Sequence, residues 1–243
     1  MKINILTIFP EIFNALDYGV IGKAKSNGSF NSRTYNIRDN PSNKHGQIDS
    51  KPYGGGEGML MMAEPLKKTL DNISQSNRGK VIYLSPQGKL FNNNKAKKLS
   101  KEPSITFICG RYEGVDQRFI DKYVDEEISI GDFVISGGEI AALCIIDALV
   151  RHIPGVLGNN HSSKNDSFSE GLLKGPQYTR PEIFEDLSVP EVLLSGNHEK
   201  IQNWKEFKSI EATANRRPDL LNNVKLTKKQ KKLLEDLSSQ SIL

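Results

Sequence analysis

The sequence predicts an α/β fold with a mostly parallel sheet, followed by a small all-helical C-terminal domain. Short apolar runs at 2–9, 80–84 and 105–109 end at turn residues, and helical segments separate them. Buried strands of a parallel sheet have this pattern, because both faces of such a sheet are covered. After residue 180 the apolar residues recur at helical spacing, which indicates helices packed on one another.

The first quarter of the chain is expected to form two strands, one helix and a long loop. Residues 2–9 are rich in β-branched side chains and end at a proline, which predicts the first strand. Apolar residues within 12–24 follow helical spacing, and residues 29–37 fit a second strand. Residues 38–58 are polar and rich in glycine, so we expect a loop there.

The middle of the chain is expected to complete the sheet. After the strands at 80–84 and 105–109, residues 127–130 fit another short strand. Residues 140–153 form the strongest helical pattern of the chain. Ser136 and Glu139 stand in front of this pattern with the spacing of a capping box.

A change in composition divides the chain into two predicted domains. Residues 155–180 contain many Gly, Asn and Ser residues, as linkers do. The predicted division is a sheet domain at 1–160, a linker at 161–174 and a helical domain at 175–243. In the helical domain Asn197 can cap one helix, and Thr227 and Gln230 have capping-box spacing in front of another.

Composition excludes several classes of protein. The chain has 243 residues, of which 37% are hydrophobic and 26% charged, as in soluble globular proteins. No apolar run approaches the ~18 residues of a membrane span, and the N-terminus lacks the pattern of a secretory signal. Cys109 and Cys144 have neither disulfide nor zinc spacing, so we interpret both as reduced core thiols. These observations predict a cytoplasmic protein without a membrane partner.

Basic side chains are concentrated in one segment. Residues 78–101 contain seven Lys and Arg residues and no acidic residue, whereas residues 102–147 contain ten acidic and three basic residues. A basic segment suits a polyanion such as nucleic acid. A solvated helix face is the simpler explanation of the same pattern. The acidic block beside it favours a local basic patch near a pocket over a surface coated by nucleic acid.

Glycine-containing turns adjoin the predicted strands and helices at 85–88, 109–114, 130–132 and 136–139. In an open α/β sheet ligands bind at the carboxyl ends of the strands, and glycine allows the backbone to approach them closely. Together the four turns predict a nucleotide-like cofactor site. None matches GxGxxG or GxxxxGK(S/T), which argues against an ordinary dinucleotide-binding fold and against a P-loop NTPase.

Two charged residues near the predicted linker have simple structural explanations. Asp166 is the only carboxylate between residues 148 and 169, but an Asp followed by Ser is more often a helix cap than a catalyst. Arg151 stands near the end of the predicted helix, where it can interact with the helix dipole. The four histidines have no metal-ligand spacing and no recognisable nucleophile partner.

Nine short motifs occur in a fixed order along the chain. They are YGGG at 53–56, YLSPQG at 83–88, CGRYEG at 109–114, SIGDFVISGGE at 129–139, IPGVLG at 153–158, DSF at 166–168, YTRP at 178–181, LLSGNH at 193–198 and RRP at 216–218. This order closely resembles the bacterial tRNA guanine-N1 methyltransferases, the TrmD family of the SPOUT superfamily. The resemblance extends to about residue 235, and the chain departs from the family pattern at Lys51, Glu57, Phe133 and Gly175.

The resemblance implies a fold, a cofactor and a substrate. The SPOUT-type α/β domain would contain a C-terminal trefoil knot, an exception to the rule that protein folds are unknotted. The cofactor would be S-adenosylmethionine, bound in the knot, and magnesium would be required. The substrate would be guanosine at position 37, in the anticodon stem-loop of tRNAs with guanosine at position 36, and the modification would preserve the reading frame. The active site would lie at the subunit interface of a homodimer.

The resemblance also implies the roles of individual residues. The cofactor-binding residues would be Tyr83, Ser85, Pro86, Gly88, Gly110, Tyr112, Glu113, Ser129, Ile130, Gly131, Ile135, Gly137 and Gly138. Asp166 would be the general base, Arg151 would stabilise negative charge on the guanine, and Glu113 would orient the cofactor or the base. Guanine N1 becomes nucleophilic when it loses its proton, so a positioned carboxylate can accelerate the reaction about 10²–10⁴-fold. No metal-binding residue is implied.

Two other classes of function remain alternatives. One is a SPOUT methyltransferase that acts on another RNA or on a ribose 2′-hydroxyl; the DSF motif, the GGG loop and the helical tail argue against it. The other is a non-catalytic RNA-binding protein, which does not need a base such as Asp166. Thermal stabilisation by S-adenosylhomocysteine would distinguish a binding protein from either methyltransferase.

Overall fold

The structure is a computed structural model that describes residues 1–157 and 166–240. The chain forms two compact units, Met1–Asn160 and His161–Leu243. The domain boundary predicted at residue 160 and the first part of the predicted linker, 161–165, lie outside the described residues.

A parallel sheet forms the centre of the first unit. Its strands are β1 (Lys2–Thr7), β2 (Asn31–Asn36), β5 (Lys80–Leu90), β6 (Ser104–Cys109) and β7 (Glu126–Ser129). They are paired in the order β2-β1-β6-β5-β7, and every pair is parallel. A separate antiparallel pair consists of β3 (Asp49–Ser50) and β4 (Leu60–Met61). The predicted α/β fold with a mostly parallel sheet is therefore confirmed.

Helices connect the strands of this sheet. They are α1 (Gly19–Ser26), α2 (Ala63–Asp71), α3 (Gln75–Arg78), α4 (Asn93–Leu99), α5 (Gln117–Tyr123) and α6 (Gly138–Val150), with 3-10 helices at Pro10–Asp17 and Ile37–Asp39. The single helix predicted at 12–24 is thus a 3-10 helix followed by α1. The break occurs because Tyr18 is extended and Gly19 has a φ of +63°, which ordinary residues rarely adopt.

Buried side chains pack on both faces of the sheet. Ile3 and Ile5 of β1 belong to one hydrophobic cluster, together with Ile145 of α6. Leu6 of the same strand belongs to a second cluster with Leu66 of α2. Because successive side chains of a strand point to opposite faces, this alternation shows that helices cover the sheet on both sides.

The long strand β5 contains residues 85–88, where a glycine-containing turn is predicted. Leu84 and Lys89 both pair with Ile128 of β7, so the four residues between them leave the ladder as a bulge-type excursion. A Cβ atom at Gly88 would lie 2.4 Å from the backbone of Glu127 and Ile128. Glycine therefore allows β5 to stay against β7 beyond the bulge.

The helix α6 differs from its prediction at its start and on its outer face. Its N-cap is Gly137 without a side-chain hydrogen bond, so the capping box predicted at Ser136 and Glu139 is wrong. Glu139 instead is fully buried and binds other elements. The interpretation of both cysteines as core thiols is also corrected, since Cys109 is buried but Cys144 on α6 is exposed.

The second unit consists mainly of helices. These are α7 (Glu191–Leu194), α8 (His198–Arg216) and α9 (Lys228–Gln240), with a 3-10 helix at Pro218–Asn223. Asn197 accepts the Lys200 N–H as predicted, and Thr227 and Gln230 form the predicted reciprocal capping box. No helix within 1–157 or 166–240 is long and apolar enough to cross a membrane.

A β-hairpin in the second unit shows that the predicted all-helical composition is incomplete. Its strands are β8 (Ile183–Phe184) and β9 (Leu187–Ser188). Glu185 and Asp186 between them both have positive φ values, as a two-residue type I′ turn requires. The sequence signal was missed because neither residue is the Asn or Gly that usually marks such a turn.

Three basic side chains of the segment 78–101 bind other groups within the first unit. Arg78 donates to the carbonyl oxygens of Leu70 and Ile73. Lys80 and Lys95 both contact Glu126 of β7, with Lys80 Nζ 2.6 Å from Glu126 Oε2. The exposed cations that this segment leaves to solvent are Lys89, Lys97, Lys98 and Lys101. The basic patch is therefore smaller than the sequence suggested.

The Glu126 cluster should make stability depend on acid. Burial acts to raise the pKa of Glu126, but the ammonium groups of Lys80 and Lys95 outweigh burial, and the pKa lies below 4.5. A lowered folded-state pKa adds stability that is present above pH 4.5 and is lost as the pH falls through the folded-state value. We expect Glu126→Gln to lower the free energy of unfolding by about 1–3 kcal/mol at pH 7. Urea titrations should show this difference shrinking below pH 4.5; a constant difference would contradict the assignment.

Candidate functional site

A cavity of about 520 Å³ lies in the first unit at the carboxyl ends of β5, β6 and β7. Most of its wall comes from three segments: residues 83–87 of β5, residues 110–115 after β6, and residues 127–138 around the end of β7 except residue 132. Four further residues complete the wall: Leu60, Gln117, Ile120 and Ala141. In α/β folds this edge of the sheet is where ligands bind. The cavity is therefore the candidate binding site of the first unit.

Nearly all the predicted cofactor-binding residues line this cavity. They are Tyr83, Ser85, Pro86, Gly110, Tyr112, Glu113, Ser129, Ile130, Gly131, Ile135, Gly137 and Gly138. Gly88 does not line it, because Gly88 packs against the backbone of β7. The fold thus brings together three segments that are up to 55 residues apart in sequence, from Tyr83 to Gly138.

Two glycines of the cavity wall are required by close approaches. A Cβ atom at Gly110 would lie 2.8 Å from the Tyr83 ring, and one at Gly138 would lie 2.8 Å from the Cα atom of Cys109. Real Cβ atoms essentially never come so close to other heavy atoms. At these two positions the wall is consequently backbone, which offers N–H and C=O groups to a ligand.

The buried phenol of Tyr83 lies behind the wall. Burial and the nearby Glu127 carboxylate raise the pKa of Tyr83 to about 12. The hydroxyl therefore keeps its proton at neutral pH and supports the turn at Gly110 as a neutral group.

A buried ion pair connects the second and third cavity segments. Arg111 Nε donates to Glu139 Oε2 at 2.8 Å, and Arg111 Nη1 donates to the Ser136 carbonyl oxygen at 3.1 Å. The other carboxylate oxygen of Glu139 accepts the Thr7 hydroxyl at 2.8 Å, and Thr7 accepts the N–H of Phe9. Glu139 and Thr7 are both fully buried. This network fixes the 136–138 segment against β1 and β6.

The glycine-rich loop approaches the cavity at Glu113. The Glu113 N–H donates to the Met59 carbonyl oxygen at 2.9 Å, and a Cβ atom at Gly58 would lie 2.4 Å from Glu113 Cγ. Glu113 is exposed at the cavity edge. Tyr53, near the tip of the same loop, is 98% exposed and available to a ligand.

Arg151 does not line this cavity. It is an exposed residue that caps the C-terminal end of α6, whereas Gly138 at the other end of α6 lines the cavity. Thirteen helical residues at 1.5 Å each separate the two ends by about 20 Å. Arg151 and Gly138 therefore lie at opposite ends of α6, and Arg151 is not part of the cavity wall.

Asp166 belongs to the second unit. It lines a cavity of about 300 Å³ formed with α8 and the residues 172–177. Its segment folds into a turn in which the Ser169 N–H donates to the Asp166 carbonyl oxygen. Asp166 therefore stands on an ordered turn of the second unit.

Metal-ligating side chains are not grouped in the described part of the chain. Within residues 1–157 and 166–240 there is no set of three His, Cys, Asp or Glu side chains that could hold a metal ion. Magnesium is usually held by one or two carboxylates together with water and substrate phosphates, so this finding concerns only a site built from three protein side chains.

Comparisons with known proteins identify the family. The model of the family described as tRNA (Guanine-1)-methyltransferase TrmD matches residues 1–223. The chain belongs to the TrmD family. It is similar to the tRNA (guanine-N(1)-)-methyltransferase of Clostridium novyi, with 50% identity over 240 residues that cover 99% of each chain. The protein of the same name from Clostridium botulinum strain Alaska E43 is 51% identical over 234 residues, which are 96% of this chain and 98% of that one.

Membership in the TrmD family confirms the resemblance inferred from the motifs. It identifies the chain as an enzyme, a tRNA guanine-N1 methyltransferase. The matched residues 1–223 extend through the first unit and most of the second, so both units belong to the family architecture.

Three residues of this TrmD-family site were not predicted from the sequence. Arg111 and Glu139 belong to the motifs at 109–114 and 129–139, but the ion pair between them was not predicted. Thr7 comes from the first strand, far from any motif. A signal existed for Glu139, because a carboxylate in an otherwise apolar helical segment needs a partner when it is buried.

Proposed function

We propose that this enzyme transfers the methyl group of S-adenosylmethionine to N1 of guanosine 37 in tRNAs with guanosine at position 36. The observation that carries the proposal is the glycine-walled cavity at the carboxyl ends of three parallel strands. The reaction takes place on the anticodon stem-loop of cytoplasmic tRNA and preserves the reading frame.

The cavity residues fit an adenosine-containing cofactor. When bound, S-adenosylmethionine supplies a methyl group on a sulfonium, which is a good leaving group. The backbone of Gly110, Gly137 and Gly138 can approach the ligand closely, since no side chain intervenes. Leu84, Ile130 and Ile135 supply apolar surface for a base, and Ser85 and Ser129 supply hydroxyls.

Asp166 and Arg151 provide the chemistry at the guanine. The Asp166 carboxylate would accept the N1 proton, so that the N1 electron pair could bond to the methyl carbon as the C–S bond of the sulfonium breaks and S-adenosylhomocysteine leaves. The negative charge that develops on O6 is stabilised by the Arg151 guanidinium. Alignment of N1 with the methyl group supplies much of the remaining acceleration.

The site is assembled from two copies of the chain. Arg151 lies about 20 Å along α6 from Gly138 and does not line the cavity of its own subunit, which supports its supply by a second copy. Exposed apolar side chains beside the cavity and on α6 give the second copy a surface to bury: Phe133, Val134 and Ile140. In this homodimer one subunit contributes the cofactor cavity and the other contributes Arg151 and Asp166.

The finer architecture follows the family. The sheet domain at 1–160 holds the cofactor in a C-terminal trefoil knot, the linker at 161–174 carries Asp166, and the helical domain at 175–243 binds tRNA. The magnesium ion that the resemblance implies is assigned to no residue in this proposal, because no group of three His, Cys, Asp or Glu side chains within 1–157 and 166–240 marks a site for it.

Cofactor affinity should depend on Gly138. In Gly138→Ala the new methyl group would lie 2.8 Å from the Cα atom of Cys109. Cys109 is part of β6 and cannot move away without distorting that strand. If the resulting distortion of the cavity wall costs about 1–3 kcal/mol of binding free energy, S-adenosylhomocysteine binds about 5–150-fold more weakly. Isothermal titration calorimetry measures the affinity. Gly46→Ala is the control, since Gly46 has a positive φ but no atom within 4 Å of a new Cβ, and its affinity should stay at the wild-type value.

The substrate is tested by nucleoside mass analysis of methylated tRNA. Two transcripts are incubated with the enzyme and S-adenosylmethionine, one with guanosines at positions 36 and 37 and one with adenosine at 36. We expect 1-methylguanosine from the first transcript alone. Methylation of both transcripts would refute the dependence on position 36, and a methylated ribose or another methylated base would refute the proposed reaction.

A further inference from the structure

The turn that carries Asp166 is closed by its own hydrogen bonds. The Phe168 N–H donates to the Leu172 carbonyl oxygen at 2.7 Å, and the Lys174 N–H donates to Ser167 Oγ at 2.9 Å. Phe168 and Gly171 have φ values of +70° and +86°, which allow the chain to reverse within the turn. Residues 166–174 therefore behave as one structural piece.

Two hydroxyls of α8 hold this piece at Leu173. The Leu173 N–H donates to Thr213 Oγ1 at 2.9 Å, and the Leu173 carbonyl oxygen accepts from Ser209 Oγ at 2.6 Å. Both backbone groups of a single residue are thus bound by side chains one helical turn apart. The pair Ser209 and Thr213 is called the hydroxyl clamp below.

The hydroxyl clamp is preorganised. Thr213 is fully buried, and its hydroxyl donates to the Ser209 carbonyl oxygen at 2.7 Å, so its lone pairs are left for the Leu173 N–H. A Cβ atom at Gly175 would lie 3.1 Å from the backbone of Lys208. The chain therefore runs close against α8 for two residues beyond the clamp.

We propose that Ser209 and Thr213 are positioning residues for Asp166. The clamp fixes Leu173, the closed turn transmits that placement to Asp166, and the carboxylate moves with α8 as one body. This inference rests on the proposed role of Asp166 as general base. Neither hydroxyl touches substrate or cofactor in this role; each acts through the backbone of Leu173.

The consequence for catalysis is a loss of rate without a loss of binding. A displacement of a catalytic group by about 1 Å can cost about 100-fold in rate. We expect Thr213→Val, which keeps the shape of the side chain but lacks the hydroxyl, to lower the single-turnover rate of methyl transfer about 10–100-fold. The affinities for tRNA and for S-adenosylhomocysteine should remain within about twofold of wild type. Ser209→Ala should act in the same direction.

The experiment is a double-mutant cycle in the full-length enzyme that combines Thr213→Val with Asp166→Asn. Each variant is measured by single-turnover methylation of the transcript with guanosines at positions 36 and 37. Thr213→Ser, which retains the hydroxyl, should restore the rate. Ser195→Ala is the matched control: its hydroxyl also donates to a backbone carbonyl, that of Val192, but does not contact the turn. In the Asp166→Asn background, Thr213→Val should have no further effect, because no base remains to be positioned.

The outcomes separate the two proposals. A wild-type rate in Asp166→Asn would refute the base and with it the proposed mechanism. A large loss in Asp166→Asn with a wild-type rate in Thr213→Val would leave the base in place and refute the hydroxyl clamp. Equal losses from Thr213→Val in both backgrounds would show that the hydroxyl supports folding alone, which would also overturn the positioning role.

Discussion

Asp166→Asn is expected to lower the rate of N1 methylation about 10²–10⁴-fold at neutral pH, because an amide cannot accept the N1 proton. Asn has nearly the same shape as Asp, and Asp166 lies in the second unit, outside the cofactor cavity of the first. The affinity for S-adenosylhomocysteine should therefore stay unchanged. Single-turnover methylation measures the rate, and calorimetry measures the affinity.

The control for this variant is Glu170→Gln. Glu170 lies on the same turn and lines the same cavity of the second unit, so its replacement removes an equal charge from the same surroundings. Its rate should remain close to wild type. If both variants lose activity equally, the effect comes from the charge of the turn, and Asp166 is not the base.

Arg111→Met is expected to destabilise the first unit by about 3–5 kcal/mol, since it leaves the fully buried Glu139 carboxylate without its cation. It also removes the hydrogen bond to the Ser136 carbonyl oxygen, so the 136–138 segment of the cavity should lose its fixed position. Urea unfolding followed by circular dichroism gives the free energy. Arg118→Met is the control, because the side chain of Arg118 is 77% exposed and its ion pair should contribute no more than about 1 kcal/mol.

The double variant Arg111→Met with Glu139→Leu distinguishes a lost ion pair from a general loss of packing. Replacing both members of a buried pair by apolar side chains is often nearly neutral for stability. The double variant should therefore be more stable than Arg111→Met alone, although the Thr7 hydroxyl loses its acceptor. The loss of the fixed 136–138 segment should weaken cofactor binding in Arg111→Met. The double variant should not restore this affinity, because it still lacks the contact between Arg111 and the Ser136 carbonyl oxygen. Equal stabilities of the single and double variants would contradict the ion-pair explanation.

The strands of the sheet could be predicted because their signal is local. Residues 105–109 are apolar in every position but one and become β6, fully buried between covering helices. The turns at the ends of such strands line the cavity, and sequence order and strand polarity are sufficient to place it there. The thirteen cofactor residues came from the family resemblance, and twelve of them line this cavity.

The features that sequence reasoning missed depend on distant partners. Ser136 and Glu139 have capping-box spacing, but Arg111 and Thr7 bind the carboxylate, and neither is near it in sequence. In this case tertiary contacts outweigh the local preference. Residues 85–88 of β5, in contrast, have the composition of a turn and do leave the ladder, because Leu84 and Lys89 both pair with Ile128.

The sequence of one chain cannot assign the proposed catalytic residues to a subunit. The motifs indicate Arg151 and Asp166, and nothing in their spacing tells which subunit they serve. The length of α6 supports the proposal that Arg151 serves the other subunit, because it places Arg151 and the cavity residue Gly138 at opposite ends of the helix. The basic segment was misjudged for a related reason: Glu126, which binds Lys80 and Lys95, follows them by at least 31 residues.

The exposed Cys144 gives this protein a natural site for chemical labelling. The sequence contains two cysteines, and burial together with the Glu139 carboxylate raises the pKa of the Cys109 thiol well above its ordinary value. A maleimide should therefore modify Cys144 and spare Cys109 while the protein is folded. A fluorophore can be attached to α6 without mutation, and its labelling rate as a function of protein concentration reports whether that face of α6 is covered when subunits associate.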